Sequence, residues 1–208
     1  MNKKEEKNNK KLLVEGQNDL HVVSALCKKY QITENFDIID CEGVENLIKQ
    51  IGTRFKGYGV NTVGIIIDAD ADLQTRWNSL YNTLTSIGFI VPKNFPKDGL
   101  IIENETQKVG TWIMPNNDSD GILENFISFL IPKDDKLLPV ADDILTEIEI
   151  QGLNKYSSKD KPKAQIHTWL AWQEEPGTPM GLSITKKYLS TDDVVCQQFV
   201  KWVTELFK

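Results

Sequence analysis

Two short apolar runs that end abruptly in carboxylates constrain this chain more than anything else in it. One is Lys11-Leu12-Leu13-Val14-Glu15-Gly16-Gln17-Asn18-Asp19; the other, further on, is Ile65-Ile66-Ile67-Asp68-Ala69-Asp70-Ala71-Asp72. Unbroken apolar runs of this length suit strands buried on both faces, as in a parallel sheet covered by helices. In an open α/β sheet, side chains at the carboxyl ends of the strands meet in one crevice, which is where such folds place ligands. Two acidic strand ends therefore describe one acidic site. Carboxylates held that close repel one another unless a cation lies between them, and hard cations such as Mg²⁺ take oxygen ligands. The expectation is a magnesium-type site for phosphate chemistry.

The rest of the chain supplies the α/β context. Residues 11–15 read as the first strand, and Gly16 permits a tight turn into a helix over about Asp19–Tyr30, which Asn18 or Asp19 can cap. Phe36–Cys41 reads as a second strand, and Glu42-Gly43 turns it into an amphipathic helix with Leu47, Ile48, Ile51 and Phe55 inward. A loop over Lys56–Gly59 leads to a third strand, Val63–Ile67, and a helix over Thr75–Ile87. Three strand–helix units in succession require a parallel sheet with right-handed crossovers. The pattern then changes to a hairpin, Gly99–Glu103 with Val109–Met114, followed by a turn-rich loop and a short apolar helix over Ile122–Ile131 that begins near Glu124. Helical patterns follow at about 140–153, 163–172 and 192–207, broken once at Pro176-Gly177-Thr178-Pro179. The expected organisation is a flexible tail over 1–10, an α/β core over 11–132, and a mostly helical elaboration over 133–208 packed on it.

Each acidic cluster has a plainer reading beside the functional one. Asp19 can be an ordinary helix cap and Glu15 a solvated strand end; set across a strand-to-helix turn, both can also face one crevice as metal ligands, with Glu15 as general acid or base. Asp68 and Asp70, two apart at a strand end, project toward one ion, whereas Asp72 suits a cap for the helix that follows. A calcium loop of the EF-hand type does not fit, because Leu73 stands where its glycine belongs and Ser79 where its glutamate belongs.

L-L-V-E-G-x-x-D followed by I-I-I-D-x-D resembles the two signature motifs of the Toprim domain. That domain is shared by type IA and II topoisomerases, DnaG-type primases, RecR-like repair proteins and OLD-family nucleases. The resemblance covers roughly residues 11–130 and implies a Rossmann-like, mainly parallel sheet flanked by helices, with a helical C-terminal elaboration. It implies Mg²⁺ or Mn²⁺ at Glu15, Asp68 and Asp70, with Gly16 as the turn glycine and Asp19 as the acidic residue that follows the first motif in OLD-type members. Two-metal sites of that type draw further acidic ligands from a late strand end, which points to Asp120 or Glu124 in Asp118-Ser119-Asp120-Gly121-Ile122-Leu123-Glu124; a turn with a helix cap is the plainer reading there. They also carry a lysine after the last acidic motif that stabilises transition-state charge. Lys163, in Lys159-Asp160-Lys161-Pro162-Lys163, is the candidate, with His167 one turn on. His167 has no partner at metal spacing and reads as an ordinary histidine, and Trp169, Trp172 and Trp202 read as core rather than as base-stacking platforms. The chain as a whole is similar to a small stand-alone Toprim-like family of prokaryotic proteins without assigned function. No tyrosine-bearing topoisomerase domain, zinc ribbon or ATPase domain accompanies the motifs, so topoisomerase, primase and ATP-driven activities are not expected of these residues alone.

Composition narrows the partners. The net charge is −6 at pH 7, with only Arg54 and Arg76 as arginines, which argues against a protein that coats nucleic acid through a basic face. It leaves open an enzyme that reaches phosphates through a bound ion. No apolar run approaches the ~18 residues of a membrane helix, and the Lys/Asn/Glu-rich start is no secretory signal. Cys27, Cys41 and Cys196 lack disulfide or zinc spacing, which fits a reducing cytoplasm. The expected function is metal-dependent cleavage or transfer at a phosphodiester, on nucleic acid or a nucleotide. The alternatives are a non-catalytic nucleic-acid- or protein-binding module of the same shape, and a small-molecule nucleotide phosphohydrolase.

Overall fold

Strand Thr62–Asp68 is buried along its length until its final aspartate, and the sheet is arranged around it. The computed structural model describes residues 6–57 and 59–208. In chain order the elements are β1 (Lys10–Val14), α1 (Gln17–Lys29), β2 (Asp37–Asp40), α2 (Val44–Lys56), β3 (Thr62–Asp68), α3 (Leu73–Ser86), β4 (Leu100–Glu103), β5 (Lys108–Met114), α4 (Leu123–Leu130), α5 (Leu137–Ile150), a 3₁₀ turn (Ser158–Asp160), α6 (Lys161–Ala171), α7 (Met180–Thr185) and α8 (Val194–Leu206). The sheet order is β2-β1-β3-β5-β4. The first four of these are parallel and β4 runs antiparallel to β5, as the expected hairpin requires. This is the α/β fold read from the sequence, a mainly parallel sheet flanked by helices with a helical C-terminal region.

From β1 the chain moves outward to β2, then returns to the other side of β1 as β3. The sheet therefore reverses direction between β1 and β3, and a ligand crevice opens at the carboxyl ends of that pair. Leu12 and Val14 of β1, Ile66 of β3, and Trp112 and Met114 of β5 share one face with α1, α4, α6, α7 and α8. Leu13, Val63, Ile65, Ile67, Val109 and Ile113 face α2 and α3 on the other. Such period-two division of strands buried on both sides is what the unbroken apolar runs express.

The C-terminal elaboration is built into the first of these layers. Gly64 and Gly110 are paired across β3 and β5. A Cβ on Gly64 would stand 2.6 Å from Leu12 Cδ1 and 2.9 Å from Leu206 Cδ2, and one on Gly110 would stand 2.7 Å from Leu206 Cδ2. The two glycines form a notch into which α8 settles.

Of the expected flexible tail, residues 1–5 lie outside the described residues, as does Tyr58 in the expected loop over 56–59. From Glu6 onward the chain is tied down. The Lys7 and Asn8 amides donate to Asp37 Oδ2, the Glu6 carboxylate meets Arg54 and Lys11, and β1 itself begins at Lys10. Cys27, Cys41 and Cys196 are unpaired and buried. Among the described residues, no helix is long and apolar enough to cross a membrane.

Candidate functional site

Glu15 follows the last residue of β1. Its backbone carbonyl accepts from the Gly43 amide, which fixes the strand end against the turn after β2. Its Oε2 reaches across the switch point and accepts from the Asp68 amide at 3.4 Å. Burial raises the Glu15 pKa, and the Asp70 charge adds to that; the Asp68 amide, Arg76 and Lys163 work in the opposite direction. Lys163, in the first turn of α6, is therefore within electrostatic reach of Glu15. Its ammonium is half-exposed, 3.8 Å from Asp160.

Asp19 satisfies both of its readings. It reaches back along the first turn of α1, where its Oδ2 accepts from the Gly16 amide at 3.1 Å, as a helix-start carboxylate does. It is also buried. Burial, followed by the charges of Glu15 and Glu124, pushes its pKa up to about 7.

Asp68 lies deepest. Burial and the charges of Asp19, Glu15, Glu124 and Asp70 push it well above the ordinary carboxylate range. Its Oδ1 is buried and has no hydrogen-bond partner among the described residues. Glu124, in the first turn of α4, is 4% exposed. Four elements, β1, α1, β3 and α4, thus converge carboxylates on one place.

Asp70 and Asp120 are differently engaged. Asp70 adopts a left-handed backbone (φ 56°) and exchanges both backbone hydrogen bonds with Gly121. Its Oδ2 accepts from Arg76 Nη2 at 2.5 Å, while Arg76 Nε donates to the Asp68 carbonyl at 2.7 Å. Asp120 Oδ1 accepts from the Leu73 amide at 2.7 Å, at the start of α3. Asp72 caps the same helix through Thr75, as the plainer reading held. His167 is exposed, Trp169 and Trp202 are core, and Trp172 is 38% exposed.

Among the described residues, no three His, Cys, Asp or Glu side chains stand close enough together to hold a metal ion as they are placed. The hydrogen bonds give the reason: Asp19 is drawn to Gly16, Asp70 to Arg76 and Asp120 to Leu73. The donor set nonetheless fits a hard divalent cation. A buried, unpartnered carboxylate oxygen surrounded by other carboxylates is a position at which a cation removes both the repulsion and the missing partner. Arg76 was not among the candidates read from the sequence. Its signal was there: one turn into the helix that follows D-x-D-x-D, an arginine faces back over the strand end.

The model of the family described as "Protein of unknown function (DUF3226)" matches residues 9–208. No curated protein matches the chain. Among solved structures it is similar to the C-terminal region of the Xanthomonas campestris pv. campestris OLD protein. The identity is 14%, the TM-score 0.42, and the match covers 97% of this chain and 89% of that one.

Proposed function

Since this chain belongs to the DUF3226 family, whose function is unknown, we propose an activity from the site itself: Mg²⁺- or Mn²⁺-dependent cleavage or transfer at a phosphodiester of a nucleic acid or nucleotide. The observation that carries the reading is the buried, unpartnered Asp68 Oδ1, ringed by Glu15, Asp19 and Glu124 at the switch point of the sheet. The order of the two acidic motifs, similar to that of the Toprim domain, supports it.

Asp68 and Glu15 would hold the ion, with Asp19 and Glu124 behind them. When bound, such an ion polarises a phosphoryl oxygen and lowers the pKa of water at the site. Glu15, whose pKa burial raises above the ordinary carboxylate value, is the candidate to take up or release a proton. Lys163 stands on the rim, where its ammonium meets the charge that builds on a phosphate in the transition state.

A second reading, a binding module of the same shape without catalysis, draws support from the engagement of Asp19 and Asp70 by protein donors. One experiment separates the two. Mn²⁺ and Mg²⁺ are titrated calorimetrically into the wild type and Asp68→Asn, and Mn²⁺-dependent hydrolysis of bis(p-nitrophenyl) phosphate and of plasmid DNA is followed in parallel. The enzyme reading expects a specific ion and turnover, both lost in Asp68→Asn. Ion binding without turnover on either substrate favours the module, and no ion binding removes the metal reading.

A further inference from the structure

Arg76 is the one guanidinium in the crevice, and it sits on the motif that was expected to supply two ligands. Its side chain is 16% exposed. Nε holds the Asp68 carbonyl and Nη2 the Asp70 carboxylate, so the group straddles both ends of the D-x-D turn. The Asp70 side chain is itself 56% exposed. The left-handed backbone and the paired hydrogen bonds to Gly121 fix where its side chain starts. The charge of the same guanidinium also lowers the Glu15 pKa, against the burial that raises it.

We propose that Arg76 is a resident cation of the site, standing where a second metal ion would, so that the crevice takes one divalent ion at Glu15 and Asp68 while Asp70 serves only as the arginine's partner. The inference rests on the metal-dependent reading above and specifies its stoichiometry. A guanidinium is always charged and cannot be deprotonated in a protein. It therefore neutralises Asp70 permanently, whereas a second ion would come and go with concentration. Nη1 makes no hydrogen bond among the described residues, so the group retains donors for a phosphate oxygen after holding Asp70 and Asp68.

The test counts Mn²⁺ ions by calorimetry, with free Mn²⁺ followed by electron paramagnetic resonance, in the wild type, Asp70→Asn, Arg76→Gln and Asp68→Asn. The expected counts are one for the wild type, one for Asp70→Asn with affinity within about threefold, and none for Asp68→Asn. Removing a ligand or an essential orienting partner would instead weaken binding by about tenfold or more. Arg76→Gln frees Asp70 and is expected to admit a second, weaker ion. Two ions in the wild type, or loss of binding in Asp70→Asn, overturn the inference and leave the proposed function standing. An unchanged single ion in Arg76→Gln also overturns it. If that variant does not fold, Asp70→Asn still decides. No ion in the wild type defeats the proposed function itself, and the inference with it.

Discussion

At the scale of the residue, Asp68 is held in place at a cost. A carboxylate that is buried, unpartnered at Oδ1 and surrounded by other carboxylates is destabilising unless it is protonated or meets a cation. Asn has the same shape without the charge, and its amide can donate to the neighbouring carboxylates. Asp68→Asn is therefore expected to raise the melting temperature of the protein in EDTA, a gain of about 1–3 kcal/mol in stability at a pH where Asp68 is ionised. The gain shrinks as the pH falls and Asp68 takes up its proton; an equal or lower melting temperature across the whole pH range would contradict the argument. Asp19 gives a pH dependence with a definite sign. Its folded pKa of about 7 lies above the ordinary value of 3.8, so the folded state holds the proton more tightly. Its contribution to stability is therefore greatest in acid and is lost as the pH rises from about 4 through about 7. Thermal melts across that range in EDTA are expected to show a decline that flattens in Asp19→Asn, which keeps the oxygen that caps Gly16. Lys163→Ala is expected to lower turnover by about 10²–10³-fold while the ion count stays unchanged; loss of the ion would assign Lys163 to the site's assembly instead. Glu15 and Asp68 were legible because a strand end fixes where the next side chain goes. The engagement of Asp70 was not legible, since it depends on Arg76 arriving from a helix, and spacing alone could not separate Asp120, which caps α3, from Glu124, which enters the crevice.

At the scale of the element, long periodic segments were read well and short packed ones were not. β3, α2 and the β4–β5 hairpin lie within a residue or two of where their apolar patterns put them. α7 was missed. A helix of 6 residues has little stability of its own, and it follows Pro176–Pro179, which reads as a break. It persists by packing: a Cβ on Gly181 would stand 2.6 Å from the His21 carbonyl oxygen of α1. The Gly64–Gly110 notch was equally invisible, because Leu206, which fills it, lies at the far end of the chain. Gly110→Ala would gain about 0.5–1 kcal/mol from the stiffer backbone, but its Cβ would meet Leu206 Cδ2 at 2.7 Å and Cδ1 at 2.8 Å. Overpacking of that kind costs about 1–3 kcal/mol, so net destabilisation is expected in urea titrations. Adding Leu206→Ala opens the space again, and the double variant is expected to be less destabilised than the sum of the two by about 0.5–3 kcal/mol. Strict additivity would show that the notch does not couple the two sites.

For the whole molecule, the division into a core over 11–132 and an elaboration over 133–208 describes the chain's order better than its packing. The layer that covers β1, β3 and β5 on one face includes Trp169, Leu170, Ile184, Phe199, Trp202, Val203 and Leu206, all from beyond residue 132. Trp202 Nε1 donates to the Leu100 carbonyl, Phe207 stacks on Phe36 with ring centroids 3.9 Å apart, and Lys10 Nζ donates to the Phe207 carbonyl. The last helix thus closes against the first two strands and the hairpin edge. Burying one large apolar side chain is worth about 1.5–3 kcal/mol, and a domain of ordinary stability retains only about 5–15 kcal/mol in all. The seven side chains named are together worth about 10–20 kcal/mol, as much as that whole margin, so the sheet is not expected to remain folded without them. The full chain is expected to unfold in one transition, with far-ultraviolet and tryptophan near-ultraviolet circular dichroism giving the same midpoint. A chain ending at residue 132 is expected to lose near-ultraviolet signal and to bind a hydrophobic dye. If it instead melts cooperatively near the midpoint of the full chain, the α/β core stands alone and the helical region is an attachment. The candidate site spans the same boundary, since the charge of Lys163, from beyond residue 132, is felt at Glu15.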